Sequence, residues 1–174
     1  MKVEIVEYDP EWPLLFKKLK STYMDELGEL IIDVEHIGST SVPGLCAKPS
    51  IDIDIVISER SVLPSVIQGL SRIGYTHSGD QGIEGREAFK RKDSRAPHDG
   101  SESSKYPHHL YVCSCDSMEL KKHLFFREYL RLDPEMRNKY GELKKSLAEK
   151  YRKDRVAYTE AKTEFIQNIL KELL

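Results

Sequence analysis

Two aspartates, Asp52 and Asp54, stand two residues apart in the run IDIDIVI at 51–57. Alternation along a strand puts both carboxylates on one face and leaves Ile51, Ile53 and Ile55 to anchor the other in a core. Like charges held this close repel, and a divalent cation between them would explain the pairing. Magnesium, bound by one or two carboxylates plus substrate phosphates, suits such a pair. The alternative is that both acids simply face water on a half-exposed sheet. Upstream, Gly38-Ser39-Thr40 follows a strand-like segment. Glycine there lets a phosphate approach bare backbone, while Ser39 and Thr40 add hydroxyl and N–H donors. A short helix starting at that point would favour an anion at its N-terminus. Lys48, between the turn and the acidic strand, can neutralise phosphate charge. Strand, Gly-Ser turn, short helix and Asp-x-Asp strand together supply the metal-and-phosphate clamp of phosphoryl or nucleotidyl transfer. Catalysis of that kind is mostly positioning and charge neutralisation.

The elements that must hold these residues follow from hydrophobic period. Lys2 to Glu7 alternates and reads as an edge strand or an extended lead-in. Asp9-Pro10 reads as a helix start, and the apolar stripe from Trp12 to Leu30 predicts a long amphipathic helix ending near Gly28. Strands are expected at 31–37, 51–57, 75–78, 87–91 and 109–115, with a helix from Leu63 to Gly74. Residues 92–107, rich in Ser, Pro, Asp and Gly, read as a mobile loop. From Asp116 onward the period is helical: Asp116 and Glu119 resemble a capping box, Asp133-Pro134 opens a second helix, and a break falls near Asp154. The expected fold class is α+β, a mixed sheet with flanking helices and a C-terminal helical hairpin or small bundle. Residues 1–116 form the α/β core, and 117–174 a helical part packed on it as one compact unit.

Composition narrows the partners. The net charge of −2 gives no reason to expect sequence-independent nucleic-acid binding. It conceals an asymmetry: residues 117–174 carry 14 Lys and Arg against 10 Asp and Glu, and residues 1–116 carry 13 against 19. An acidic front and a basic rear suit a metal-bound, phosphate-bearing ligand, although solvated helix faces would give the same balance. No run of 18 apolar residues spans a membrane, and the charged opening MKVEIVEYDPEW lacks the apolar stretch of a signal peptide. Three cysteines without framework spacing point to a reducing compartment, so a cytoplasmic location is expected.

The segment HIGSTSVPGLCAKPSIDI at 36–53 closely resembles the signature of the GrpB family, within the nucleotidyltransferase (polymerase β-like) superfamily. YDPEWP at 8–13, HHLYVC at 108–113 and KHLFFREYLR at 122–131 extend the resemblance over nearly the whole chain. It implies a nucleotidyltransferase-like fold, with Gly38 and Ser39 at the phosphate turn and Asp52 and Asp54 as the first two metal-binding acids. The superfamily presents a third acid on a later strand, where this chain reads His108-His109-Leu110-Tyr111-Val112. His109 is therefore the candidate to replace that acid as a ligand or proton-transfer group, with Tyr111 on the same side and Leu110 opposite. Family members fused to dephospho-CoA kinase suggest a link to coenzyme A metabolism.

Other residues admit two readings each. Arg86 and Arg91 could hold phosphate or be surface arginines. Arg127, Lys144 and Lys162 could line the far wall of a cleft or form salt-bridged helix surface. Cys113 and Cys115, with His108 or His123, are a weak zinc constellation because no second ligand pair has a recognisable spacing. His36 could support the glycine turn from behind, and Tyr158 reads as a core residue with its hydroxyl at the rim. The leading expectation is a magnesium-dependent nucleotidyltransferase acting on a nucleotide or phosphorylated small molecule. Its rivals are a non-catalytic nucleotide- or coenzyme-A-related binding module and a structural domain. The oligomeric state is not legible in the sequence.

Overall fold

The strands are β1 (Asp33–Ile37), β2 (Ile51–Ile57), β3 (Tyr75–His77), β4 (Glu87–Arg91) and β5 (His108–Ser114) in this computed structural model, which describes residues 3–173. The helices are α1 (Trp12–Leu27), α2 (Leu63–Arg72), α3 (Met118–Leu132), α4 (Pro134–Lys150), α5 (Arg155–Ala161) and α6 (Thr163–Leu170). The strands form one mixed sheet in the order β1-β2-β5-β4-β3, with β2 and β5 parallel and every other neighbour antiparallel. The α+β expectation holds.

The period-two pattern of β2 explains why the sheet has two different faces. Ile51, Ile53, Ile55 and Ile57 enter the main core with Leu110 and Val112 of β5, beneath Leu19, Tyr23, Val66 and Leu70 of α1 and α2. Each buried isoleucine contributes about 1.5–3 kcal/mol, so the strand cannot slip by one residue without inverting the core. On the opposite face the same strand runs from wet to dry. Asp52 is half-buried, Asp54 is fully buried, and Val56 lies in an apolar cluster with Cys113 and Leu120 of α3. The helical part is fixed to the front part through Val42 and Leu45, which pack with Leu130, Tyr140 and Ile169.

Several boundaries differ from expectation for local reasons. Val6 makes only an isolated bridge to Ala47, so 3–7 is a lead-in rather than a strand; Lys2 lies outside the described residues. Asp9 accepts a hydrogen bond from Glu11 N at 2.8 Å, which delays the helix start to Trp12. Ser117, not Asp116, caps α3, accepting from Leu120 N, while Asp133 and Asp154 cap α4 and α5. The last helix is divided at Lys162 into α5 and α6. The 92–107 loop has no helix or strand, yet Arg91 reaches the carbonyls of Ser94 and Lys105, and Ala96 is fully buried. That anchoring removes Arg91 from any phosphate site.

Candidate functional site

The Gly38 turn and Asp52 are built against each other. Gly38 has φ 69° and ψ −172°, a region essentially confined to glycine. A Cβ there would lie 2.5 Å from Asp52 Oδ2, so only glycine leaves the carboxylate its place. A single 3-10 turn, Ser39–Ser41, follows and is locked from several sides. His36 Nε2 pairs with Thr40 Oγ1 at 2.9 Å, the His36 ring stacks on Phe16, and Ser41 Oγ donates to Gly38 O. Burial and the charges of Arg131 and Arg127 hold His36 down to about 3, so it is a neutral support. Gly38→Ala is expected to cost about 2–3 kcal/mol, from the forced φ and the collision with Asp52. Urea denaturation would measure this; an unchanged midpoint would mean that the turn adapts.

Helix α3 lays one stripe across this construction. His123, Arg127 and Arg131 recur every four residues and so share a helix face. His123 Nδ1 lies 2.6 Å from Asp54 Oδ2, Arg127 donates to Glu35 and to His36 O, and Arg131 donates to Ser41 O. Burial lowers the His123 pKa, but the hydrogen bond and charge of Asp54, with Glu119, outweigh it and leave the imidazole raised. Asp54 Oδ1 remains buried without a partner.

Asp52 faces a cavity of about 210 Å³. Ser39, Thr40 and Ser50 line one side with Asp52, and His109 and Tyr111 line the floor. His109 is the register partner of Asp52, and Tyr111 that of Asp54, so both share the acid face while Leu110 is buried in the core. Burial, then the charges of Lys48 and Arg155, bring His109 down to about 4, a neutral imidazole that can accept a proton. Four cations share the lining: Lys48, Lys144, Arg155 and Lys162 all border the cavity. None of the four makes a salt bridge among the described residues. Lys144 is only 2% exposed, donates to Cys46 O and lies over the Tyr140 ring. Burial pushes Lys144 down to about 7 and Lys162 down to about 8, the latter partly offset by Asp52. Burial also raises Asp52 to about 6 against the opposing charges of His123 and Lys162.

The structure thus brings Ser39, Thr40, Lys48, Asp52, His109 and Lys162 to one cavity. Gly38 stands immediately behind Asp52. Asp54 lies one step deeper, outside the cavity lining, and Arg86 sits 4.3 Å over the Tyr111 ring beside it. Sequence reasoning missed Arg155 and the pairing of His123 with Asp54. The one local signal was the four-residue recurrence of His123, Arg127 and Arg131. Among the described residues no three His, Cys, Asp or Glu side chains gather around a metal position. Cys113 is buried, Cys115 exposed, and His123 committed to Asp54, which leaves the zinc constellation without ligands in common. Magnesium makes a smaller demand: one carboxylate plus phosphate oxygens can hold it, and Asp52 is the carboxylate that borders the cavity, with the orphaned Asp54 Oδ1 buried behind it.

The sheet order and the face carrying Asp52 define a nucleotidyltransferase-like fold. The fold is shared with the Cid1 poly(U) polymerase, at TM-score 0.57 and 10% identity over 82% of this chain and 44% of that one. Residues 2–172 match the GrpB protein family, to which this chain belongs. A UPF0157 protein of Halalkalibacterium halodurans is 33% identical over 169 residues, covering 97% of this chain and 81% of the relative. The glutamate-rich protein GrpB of Alkalihalophilus pseudofirmus is 35% identical over 173 residues, covering 99% and 96%. The crystal structure of GrpB from Enterococcus faecalis superposes with TM-score 0.83 and 35% identity, over 97% and 96% of the chains. A dephospho-CoA kinase of Mycolicibacterium paratuberculosis matches over 42% of this chain and 19% of its own length, at 32% identity. No described helix is long and apolar enough to cross a membrane.

Proposed function

We propose that this protein is a magnesium-dependent nucleotidyltransferase whose cavity holds the phosphates of a nucleotide or phosphorylated small molecule. The observation that carries the reading is one carboxylate, Asp52, beside the Gly38 turn and sharing its cavity with four cations that make no salt bridge among the described residues. Asp52 would hold the magnesium, with buried Asp54 adding its negative charge from behind, and the ion would supply charge neutralisation at the transferring phosphate. Ser39, Thr40, Lys48 and Lys162 hold phosphate oxygens, and Lys144 and Arg155 join them. Arg86 aligns Tyr111 from behind. His109 accepts the proton of an attacking hydroxyl as its oxygen bonds to the α-phosphorus and the α–β bridging bond breaks, releasing pyrophosphate. The Cid1 neighbour, described in a MgATP-bound structure, supports the reading through its shared fold.

A second reading, a nucleotide- or coenzyme-A-related binding module without catalysis, has its own support. Asp54 is engaged by His123, a neutral histidine stands where a third acid would be, and the dephospho-CoA kinase match is partial but real. Asp52→Asn tests the metal clamp common to both. Because its folded pKa lies above the unfolded value, charged Asp52 costs stability as pH rises from about 4 to 6. The variant should therefore be about 1–2 kcal/mol more stable than wild type at pH 7, a value discounted for partial exposure. Calorimetric titration with ATP should show wild type binding at least about tenfold more tightly with magnesium, and the variant losing that gain. Equal affinity of variant and wild type in magnesium would refute the clamp.

A further inference from the structure

The dimensions and lining of the cavity say which part of a nucleotide it recognises; this rests on the phosphate-binding reading above. At about 210 Å³ the cavity is smaller than the roughly 300–1,000 Å³ of sites that enclose a drug-sized ligand. Its lining carries four cations and several hydroxyls. Selective nucleobase recognition needs a flat ring left free for stacking, and polar groups that complement the base edge. Among the described residues the aromatic rings on the lining other than His109 are Tyr111 and Tyr158, and each carries a cation over one ring face, Arg86 at 4.3 Å and Lys162 at 4.4 Å. Among the described residues no Asn or Gln, the amides best suited to reading a base edge, borders the cavity.

Buried Lys144 is the decisive feature. Its ammonium is tied to Cys46 O and makes no salt bridge among the described residues; Asp52 is the one carboxylate on the lining it shares with three other cations. A buried cation without a counter-ion is costly unless the ligand supplies the negative charge. Lys48, Lys162 and Arg155 surround the same space, so the compensating anion carries several charges. We infer that the cavity is a receptor for a linear phosphate chain of two or more phosphates, seated between the Ser39–Thr40 turn and Lys144, with the organic part of the ligand left outside and unread.

Calorimetric titration of the full chain with ATP, GTP, CTP, UTP, AMP, pyrophosphate and inorganic tripolyphosphate, with and without magnesium, tests this. The four triphosphates should bind within about threefold of one another, tripolyphosphate within about threefold of ATP, and AMP at least about tenfold more weakly. Lys144→Met should weaken ATP and tripolyphosphate by the same factor. A preference above about tenfold for one base, or binding of ATP without tripolyphosphate, would overturn phosphate-chain recognition while leaving the nucleotide site standing. Failure of every phosphate compound to bind would sink both, and circular dichroism of Lys144→Met would show that its loss is not one of folding.

Discussion

His123→Ala should destabilise the protein by about 3–5 kcal/mol at pH 6, the cost of leaving one charge of a buried pair without its partner. Asp54 is fully buried, and among the described residues its carboxylate receives one hydrogen bond, from His123 Nδ1 at 2.6 Å. Its other oxygen has no partner at all, so the variant would strand a carboxylate with both oxygens unsatisfied. Adding Asp54→Asn should recover about half of the loss, because a neutral amide is less costly to bury than a charge. The pH dependence has a definite sign. The His123 pKa is raised in the folded state, so the stability from its charge is complete below about 6.5 and is lost as pH rises through the folded value. The gap between wild type and His123→Ala should therefore narrow between pH 6 and 8 in urea titrations. A constant gap would mean that the pair is held by the hydrogen bond alone.

The second large effect concerns phosphate affinity above neutrality. Lys144 and Lys162 ionise at about 7 and about 8, both held down chiefly by burial. Each must be protonated to attract phosphate, so affinity falls up to tenfold per pH unit for each once the pH exceeds its value. Between pH 7 and 9 this allows up to about two decades from Lys144 and one from Lys162, limited by the pKa each lysine takes in the complex. Magnesium-bound ATP is the suitable probe, because its last phosphate proton is already lost below neutrality and its charge then stays nearly constant over this range. Lys144→Met should bind more weakly at pH 6.5 and lose the part of the decline that begins near 7. A flat wild-type profile from pH 6.5 to 9 would show that neither lysine meets the ligand.

The parts of this protein legible in the chain are those governed by local periodicity. Period-two alternation placed Asp52 and Asp54 on one strand face and four isoleucines on the other, because side-chain direction in a strand depends on nothing farther than the next residue. Gly38 was legible for a similar reason: a glycine directly after a strand marks a backbone that a Cβ would obstruct, and here the obstruction is Asp52 itself. The family signature at 36–53 lies in the same local stretch. Tertiary structure alone separated the two acids. Nothing in IDID distinguishes Asp52 from Asp54; the packing of α3 does, by setting His123 on the inner one and leaving the outer one open to the cavity. The cationic wall was legible only in part: Lys144 and Lys162 were candidates for it, but nothing local separated them from salt-bridged helix surface, and Arg155 gave no signal. Lys144 and Arg155 lie on helices and Lys162 at the junction of α5 and α6, all about a hundred residues away from the acids, and in sequence they resemble ordinary helix-surface charges. Which helical residues face a sheet depends on how ridges and grooves mesh across the interface, a property of the packed pair rather than of either segment. Packing buried Lys144 at the cavity without a salt-bridge partner among the described residues, the feature on which the proposed phosphate site rests.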